Sequence, residues 1–156
     1  MKSMIDLSLR KATEKDKERI EQLFIEMMQS IYANEEVVEY ENGYLDKFFS
    51  GKDDWICIAE VDNRAVGYIS IEVHKTPILF VYLDDLSVSV HFRNSGIGSA
   101  LIRKAESFAM NINASHIALH VESSNKQAIK LYERLGYSIQ HNDGTRLFMR
   151  HDLADT

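Results

Sequence analysis

Between Ile78 and Val121 the hydrophobic period changes twice, and this double change restricts the fold more than any other feature of the chain. Apolar residues from Ile78 to Val88 follow strand spacing. From Ile97 onward, Ile97, Ala100, Leu101, Ala105, Phe108 and Ile112 fall on one helix face, after which Ile117, Leu119 and Val121 alternate again. Strand, helix and strand in that order imply a parallel or near-parallel pair joined by a crossover.

The remaining segments extend this unit. Ile5, Leu7 and Leu9 alternate as a strand, and Thr13 with Asp16 reads as a helix N-cap region with an acid in the first turn. Ile20, Leu23, Phe24, Met27 and Ile31 then predict a first helix, and a second helical segment is expected from Val37 to Phe49, ending near Ser50-Gly51. Trp55–Val61 and Ala65–Val73 read as strands joined by Asp62-Asn63-Arg64. A last helix carries Ala128, Leu131, Tyr132 and Leu135 and stops at Gly136. Tyr137–Gln140 and Thr145–His151 then flank a hairpin turn, His141-Asn142-Asp143-Gly144. The order β-α-α-β-β-β-α-β-α-β-β predicts an α/β (α+β) fold with a mixed central sheet flanked by helices. At 156 residues, 45% of them hydrophobic, one domain over 1–156 is expected.

Charge and side-chain inventory exclude several functions. Residues 1–75 hold 16 acidic against 10 basic side chains and residues 76–156 hold 8 against 8, so the net charge of -6 arises in the first half. This disfavours nucleic acid as a partner. The acids Glu35, Glu36, Glu39, Glu41 and Asp46 either focus a potential that attracts a cation or form a solvated helix face. Cys57, the single cysteine, lies in an apolar strand-like run and reads as buried and inert. His116 and His120 are four residues apart on an expected strand, a span of roughly 13 Å, too far to share one ion, so no metal is expected. With an acid at Asp6 and no apolar run of membrane-spanning length, a soluble cytoplasmic protein with no membrane partner is expected.

The junction between the long strand and its helix, Arg93-Asn94-Ser95-Gly96-Ile97-Gly98, lets successive backbone N–H groups converge on a phosphate with no Cβ at either glycine. Arg93 can add a charged fork. A Rossmann turn needs a third glycine where Leu101 stands, and a P-loop needs Gly-Lys-Ser/Thr, so neither nucleotide motif fits.

This junction, preceded by Leu86-Ser87-Val88, resembles the cofactor motif of the GCN5-related N-acetyltransferases, Arg/Gln-x-x-Gly-x-Gly/Ala after a Leu-x-Val strand end. A second block, Asn125 to Ile139, is similar to that family's Asn-x-x-Ala-x-x-x-Tyr-x-x-x-Gly-Phe/Tyr segment. The chain departs from the pattern at Val90, where proline is common, and at Asn94, where glycine is common. The resemblance implies that amides of Arg93, Asn94, Ser95, Gly96, Ile97 and Gly98, with Ser99 as a further donor, hold the pyrophosphate of acetyl-CoA. It also implies that pantetheine pairs with the main chain from Leu86 through Val88 to Val90, and that Asn125 reaches the pantetheine arm or nearby backbone.

Acetyl transfer needs a neutral amine, yet a lysine-like amine with a pKa near ~10.4 is less than roughly 0.1% neutral at pH 7. Asp84 and Asp85 are the candidate proton acceptors. Neighbouring strand side chains face opposite sides, so only one of them enters a given cleft unless a bulge intervenes. "YLDDL" resembles a strand of the polyamine-acetylating branch, which implies proton removal by Asp84 and amine binding by Asp85. Tyr132 matches the family tyrosine that returns a proton to the leaving thiolate, although core packing alone also accounts for a tyrosine on that helix face. A backbone N–H near Val88 would stabilise the oxyanion. Tyr40, Tyr44, Phe48 and Phe49 either wall an acceptor pocket or pack in the core.

The expected activity is therefore transfer of an acetyl group from acetyl-CoA to a primary amine of a small cationic molecule, such as a polyamine, amino acid derivative or aminoglycoside, by direct attack in a ternary complex. Protein lysine or N-terminal acetylation and non-catalytic CoA sensing are the alternatives. A homodimer is plausible from the resemblance.

Overall fold

The computed structural model describes residues 6–32 and 39–153. In chain order its elements are β1 (Leu7–Lys11), α1 (Lys17–Tyr32), α2 (Lys47–Ser50), β2 (Trp55–Val61), β3 (Arg64–His74), β4 (Phe80–Val88), α3 (Ile97–Asn111), β5 (His116–Glu122), α4 (Lys126–Arg134), β6 (Ser138–Asn142) and β7 (Arg146–Asp152). Short 3₁₀ turns at Glu14–Asp16, Tyr44–Asp46 and Val90–Phe92 complete the set. The strands form one mixed sheet in the order β1-β2-β3-β4-β5-β7-β6, with β4 and β5 its parallel pair. This is the element order read from the sequence.

Alternation along the strands sorts side chains into two layers. Cys57, Ala59, Ile69, Ile71, Val81, Leu83, Ile117 and Leu119 pack beneath α3 and α4, against Leu101, Ala105, Ile129 and Tyr132. Ile56, Ile58 and Tyr68 on the opposite face pack with Ile20 and Leu23 of α1 and with Leu45 and Phe48. At the start of α1, the Asp16 carboxylate accepts the Thr13 N–H at 2.8 Å and the Arg10 fork at 2.8 Å on each arm. The acid expected in the first turn thus also ties the helix to β1.

The second helical segment is shorter than its periodicity suggests. Val37, like Ile5, Glu35 and Glu36, lies outside the described residues, and the chain from Glu39 to Gly43 is not helical. Asn42-Gly43 makes a turn, with Gly43 left-handed at φ 83, and helix begins only beyond it. Competing contacts explain this: Tyr40 and Tyr44 are held by polar partners on β4, and that outweighs helix propensity in so short a segment.

Parallel pairing of β4 with β5 is confined to Val81–Leu83 and Ile117–Leu119. Beyond these residues the strands separate, so the β4 main chain from Asp84 onward has β3 on one side and an opening on the other. The N-terminus of α4 lies at that opening, and Gly98 of the glycine junction packs beside Leu86 and Leu131.

Candidate active site

A cleft of about 560 Å³ occupies the separation between β4 and β5. Asp84, Asp85 and Leu86 form its floor, with His120 and Glu122 of β5, Tyr132 of α4 and Arg146 of β7 around it. Phe24 and Tyr32 of α1 face them with Tyr40 and Tyr44.

Both aspartates reach this cleft, and a β-bulge is the reason. Ile69 pairs with Leu86 and Ile71 with Leu83, so Ser70 alone stands opposite Asp84 and Asp85. The extra residue changes the parity of β4: Val81 and Leu83 face the α3 layer before the bulge, and Leu86 and Val88 face it afterwards. The Tyr40 hydroxyl donates to Asp85 Oδ2 at 2.6 Å and lies 2.8 Å from the Tyr68 hydroxyl; the Tyr44 hydroxyl donates to Asp84 Oδ2. Phe24, Tyr40 and Tyr44 stack in sequence, with ring centroids 3.7 and 5.0 Å apart.

Burial raises the pKa of both carboxyls. Asp85 is pushed up to about 7, first by desolvation and then by the charge of Asp84, with the Tyr40 hydrogen bond opposing. Asp84 is raised by the same desolvation, helped by Glu72 and opposed by Tyr44. Tyr132, buried and on the same cleft, is raised by desolvation and by Asp85, so its hydroxyl stays protonated at neutral pH.

Next to Leu86 and α4, α3 is capped by Gly96, which is left-handed at φ 87, and its first internal bond runs from Ala100 N–H to Gly96 O at 3.0 Å. The amides of Ile97, Gly98 and Ser99 thus belong to the unsatisfied first turn, which contains no acidic residue. Asn94 is left-handed at φ 60, a conformation asparagine tolerates, which accounts for its standing where glycine is common. A Cβ on Gly96 would meet nothing within 4 Å, whereas one on Gly98 would touch Leu131 at 3.5 Å and Leu86 at 4.0 Å. Gly98 therefore lets α3 approach α4 and β4 closely, and Gly96 keeps the outer side of the turn open.

Other motif residues are committed locally. Arg93 donates to Val88 O and to Ser30 Oγ, both at 3.0 Å, clamping the loop to β4 and α1. Val90 N–H is taken by Glu26 Oε1 at 2.6 Å. Ser95 Oγ bonds Phe92 O, and Asn125 caps α4 by accepting Ala128 N–H at 3.3 Å while lining the cleft. Of the aromatic cluster, Tyr40 and Tyr44 wall the cleft and Phe48 is core.

Three contributors escaped the sequence reading. Ser70 was legible only as a lone polar residue in an apolar strand. Tyr82 and His120 form a hydrogen-bonded pair in the cleft, 2.7 Å from hydroxyl to Nδ1, and desolvation lowers the His120 pKa, favouring the neutral ring. His116, by contrast, is buried and pairs with Ser115 Oγ at 3.1 Å; among the described residues no three His, Cys, Asp or Glu side chains gather as a metal site.

Residues 17–137 match the model of the Acetyltransferase (GNAT) family. An uncharacterized N-acetyltransferase of Methanocaldococcus jannaschii is 31% identical over 132 residues, 83% of this chain and 76% of that protein. The chain belongs to the GNAT acetyltransferase family. It is also similar to human N-alpha-acetyltransferase 30, 32% identical over 97 residues, which cover 60% of this chain and 27% of that protein. The fold of this acetyltransferase is that of PaiA N-acetyltransferase from Thermoplasma acidophilum, solved in complex with coenzyme A, with a TM-score of 0.79 at 18% identity over 96% of this chain and 100% of the other. No helix among the described residues is long and apolar enough to cross a membrane.

Proposed function

We propose that this GNAT enzyme transfers an acetyl group from acetyl-CoA to a primary amine of a small cationic molecule. The observation that carries the reading is the pair of half-buried carboxylates turned by one bulge into the same cleft, where Glu39, Glu41 and Glu122 add negative charge and Arg146 is the one Lys or Arg among the described lining residues. Such a cleft attracts an ammonium ion and can then remove its proton.

The first-turn amides of α3, open at Gly96, fit the pyrophosphate of acetyl-CoA, and the exposed edge of β4 beyond Leu83 fits the amides of its pantetheine arm. Asn94, Ser95, Ser99 and Asn125 border that path. Acetyl-CoA supplies the acyl group as a thioester. The amine nitrogen bonds to the acyl carbon as the carbon–sulfur bond breaks; the amine proton goes to the acid pair, and Tyr132 gives one to the thiolate. Asp85, poised near neutrality, is the member suited to take the proton, and Asp84 the member suited to hold the ammonium, the reverse of the division implied by the resemblance. An amide near Val88 supports the oxyanion.

A second reading, acetylation of protein N-termini, is favoured by the similarity to human N-alpha-acetyltransferase 30. Incubation with acetyl-CoA and either small diamines and amino acid derivatives or a peptide library, read by mass spectrometry, separates the two. Turnover of small amines above that of peptides is expected; acetylated peptide N-termini without small-amine turnover would reject the first reading.

A further inference from the structure

At the bulge, Asp85 N–H donates to Ser70 Oγ at 3.0 Å, and the Ser70 hydroxyl points back to Asp85 O at 3.4 Å. One side chain, 1% exposed, thereby engages both main-chain polar groups of the residue that the ladder leaves over. Without a partner in β3, a buried N–H here would favour relaxation of the strand. Flanking residues 69 and 71 are both isoleucines facing the other layer, so neither can replace the hydroxyl.

We infer that Ser70 is a positioning residue for acetyl transfer: its hydroxyl fixes the bulge that turns Asp84 and Asp85 toward the same wall of the cleft. The catalytic meaning of this placement rests on the function proposed above; the placement itself does not. Removing the hydroxyl leaves the charged and titratable groups around the pair in place. These are Glu39, Tyr40, Glu41, Tyr44 and Lys47 on the 39–50 segment, Tyr68 and Glu72 on β3, Tyr82 on β4, His120 and Glu122 on β5, Tyr132 on α4 and Arg146 on β7.

The test compares Ser70→Ala, Ser70→Cys and Ser70→Thr by carboxyl-carbon NMR titration of Asp85, acetyl-CoA affinity and steady-state kinetics. In the Ala variant the Asp85 titration should move by roughly half a pH unit or more. At unchanged acetyl-CoA affinity, kcat should fall about tenfold, since small displacements of reacting groups are costly. Cys, which keeps the volume with a weak donor, should behave like Ala and carries the comparison if Ala does not fold, while Thr should restore both readouts. An unchanged titration in Ala and Cys, or a loss of acetyl-CoA affinity matching the loss of kcat, would overturn the inference. If Asp84→Asn and Asp85→Asn leave turnover intact, the catalytic reading fails while a moved titration still locates Ser70 at the bulge.

Discussion

The two sides of the proposed site are built from different materials. On the proposed cofactor side the groups on offer are main-chain amides of the α3 first turn, and the side chains there hold the loop: Arg93 on Val88 O and Ser30, Glu26 on Val90 N–H. On the proposed acceptor side they are side chains, two carboxylates kept partly out of water and held by tyrosines from a segment some forty residues away in sequence. A wall of amides tolerates side-chain change and is sensitive to backbone conformation. A wall of half-buried carboxylates is the reverse, and its poised chemistry carries a cost in stability.

The largest effect should come from Asp85→Asn. If Asp85 is the general base, its loss costs about 10²–10⁴-fold in rate, so kcat should drop by that order while acetyl-CoA affinity is retained. Stability should change in the opposite sense. Asp85 has a pKa of about 7 in the folded chain against 3.8 ordinarily, so the native state holds the proton more tightly. That stabilisation is complete below about pH 4 and lost as pH rises through about 7. The asparagine variant has no such loss, so by pH 8 it should be more stable than the parent by on the order of a few kcal/mol, with the gap closing toward pH 4. Thermal melts at pH 4, 6 and 8 check this; a constant gap would mean that Asp85 ionises freely. In the parent, kcat/KM should rise with pH through about 7 as Asp85 loses its proton.

The same contrast explains what the sequence made legible. The amide wall is local: a strand, two glycines and a helix start lie within a dozen consecutive residues, and period and turn chemistry reveal them. The acid wall is assembled from residues 40–46, 68–70 and 84–85, and no local pattern reports that Tyr40 meets Asp85. The bulge did leave a trace, since Val81, Leu83, Leu86 and Val88 break strict alternation at Asp84-Asp85. Asn42-Gly43 likewise marked a turn inside the expected second helix, hidden by the helical spacing of Tyr40, Tyr44 and Phe48.

Next in size should be Tyr132→Phe. Tyr132 is packed edge-on against Tyr137, with ring centroids 5.7 Å apart, so loss of the hydroxyl should leave the fold and acetyl-CoA affinity intact. If the tyrosine gives the thiolate its proton, kcat should fall about 10- to 100-fold, the low end of acid–base contributions because a thiolate is already a fair leaving group. Unchanged kcat would assign Tyr132 to packing alone. Smaller again, and on the other wall, is Gly96→Ala. A methyl there has open space, so the only cost is the left-handed backbone, about 1 kcal/mol. That should weaken acetyl-CoA binding about fivefold with kcat at saturation nearly unchanged, as titration calorimetry and saturation kinetics can show.

The smallest effect should come from the cleft rim. Glu39 and Glu41 are exposed and line the approach to the half-buried pair, so their charges would act on an acceptor through solvent. Replacing both by Gln should raise KM for a diamine by roughly two- to threefold at low ionic strength and leave kcat alone, because screening limits surface fields to about 10 Å at 0.1 M salt. The difference should shrink toward nothing as salt is raised, and a monoamine should be affected less than a diamine. A change in kcat would place these residues in the chemical step. Equal KM at every salt concentration would mean that acceptor capture is confined to Asp84 and Asp85, drawing the boundary of the side-chain wall at the tyrosines that hold them.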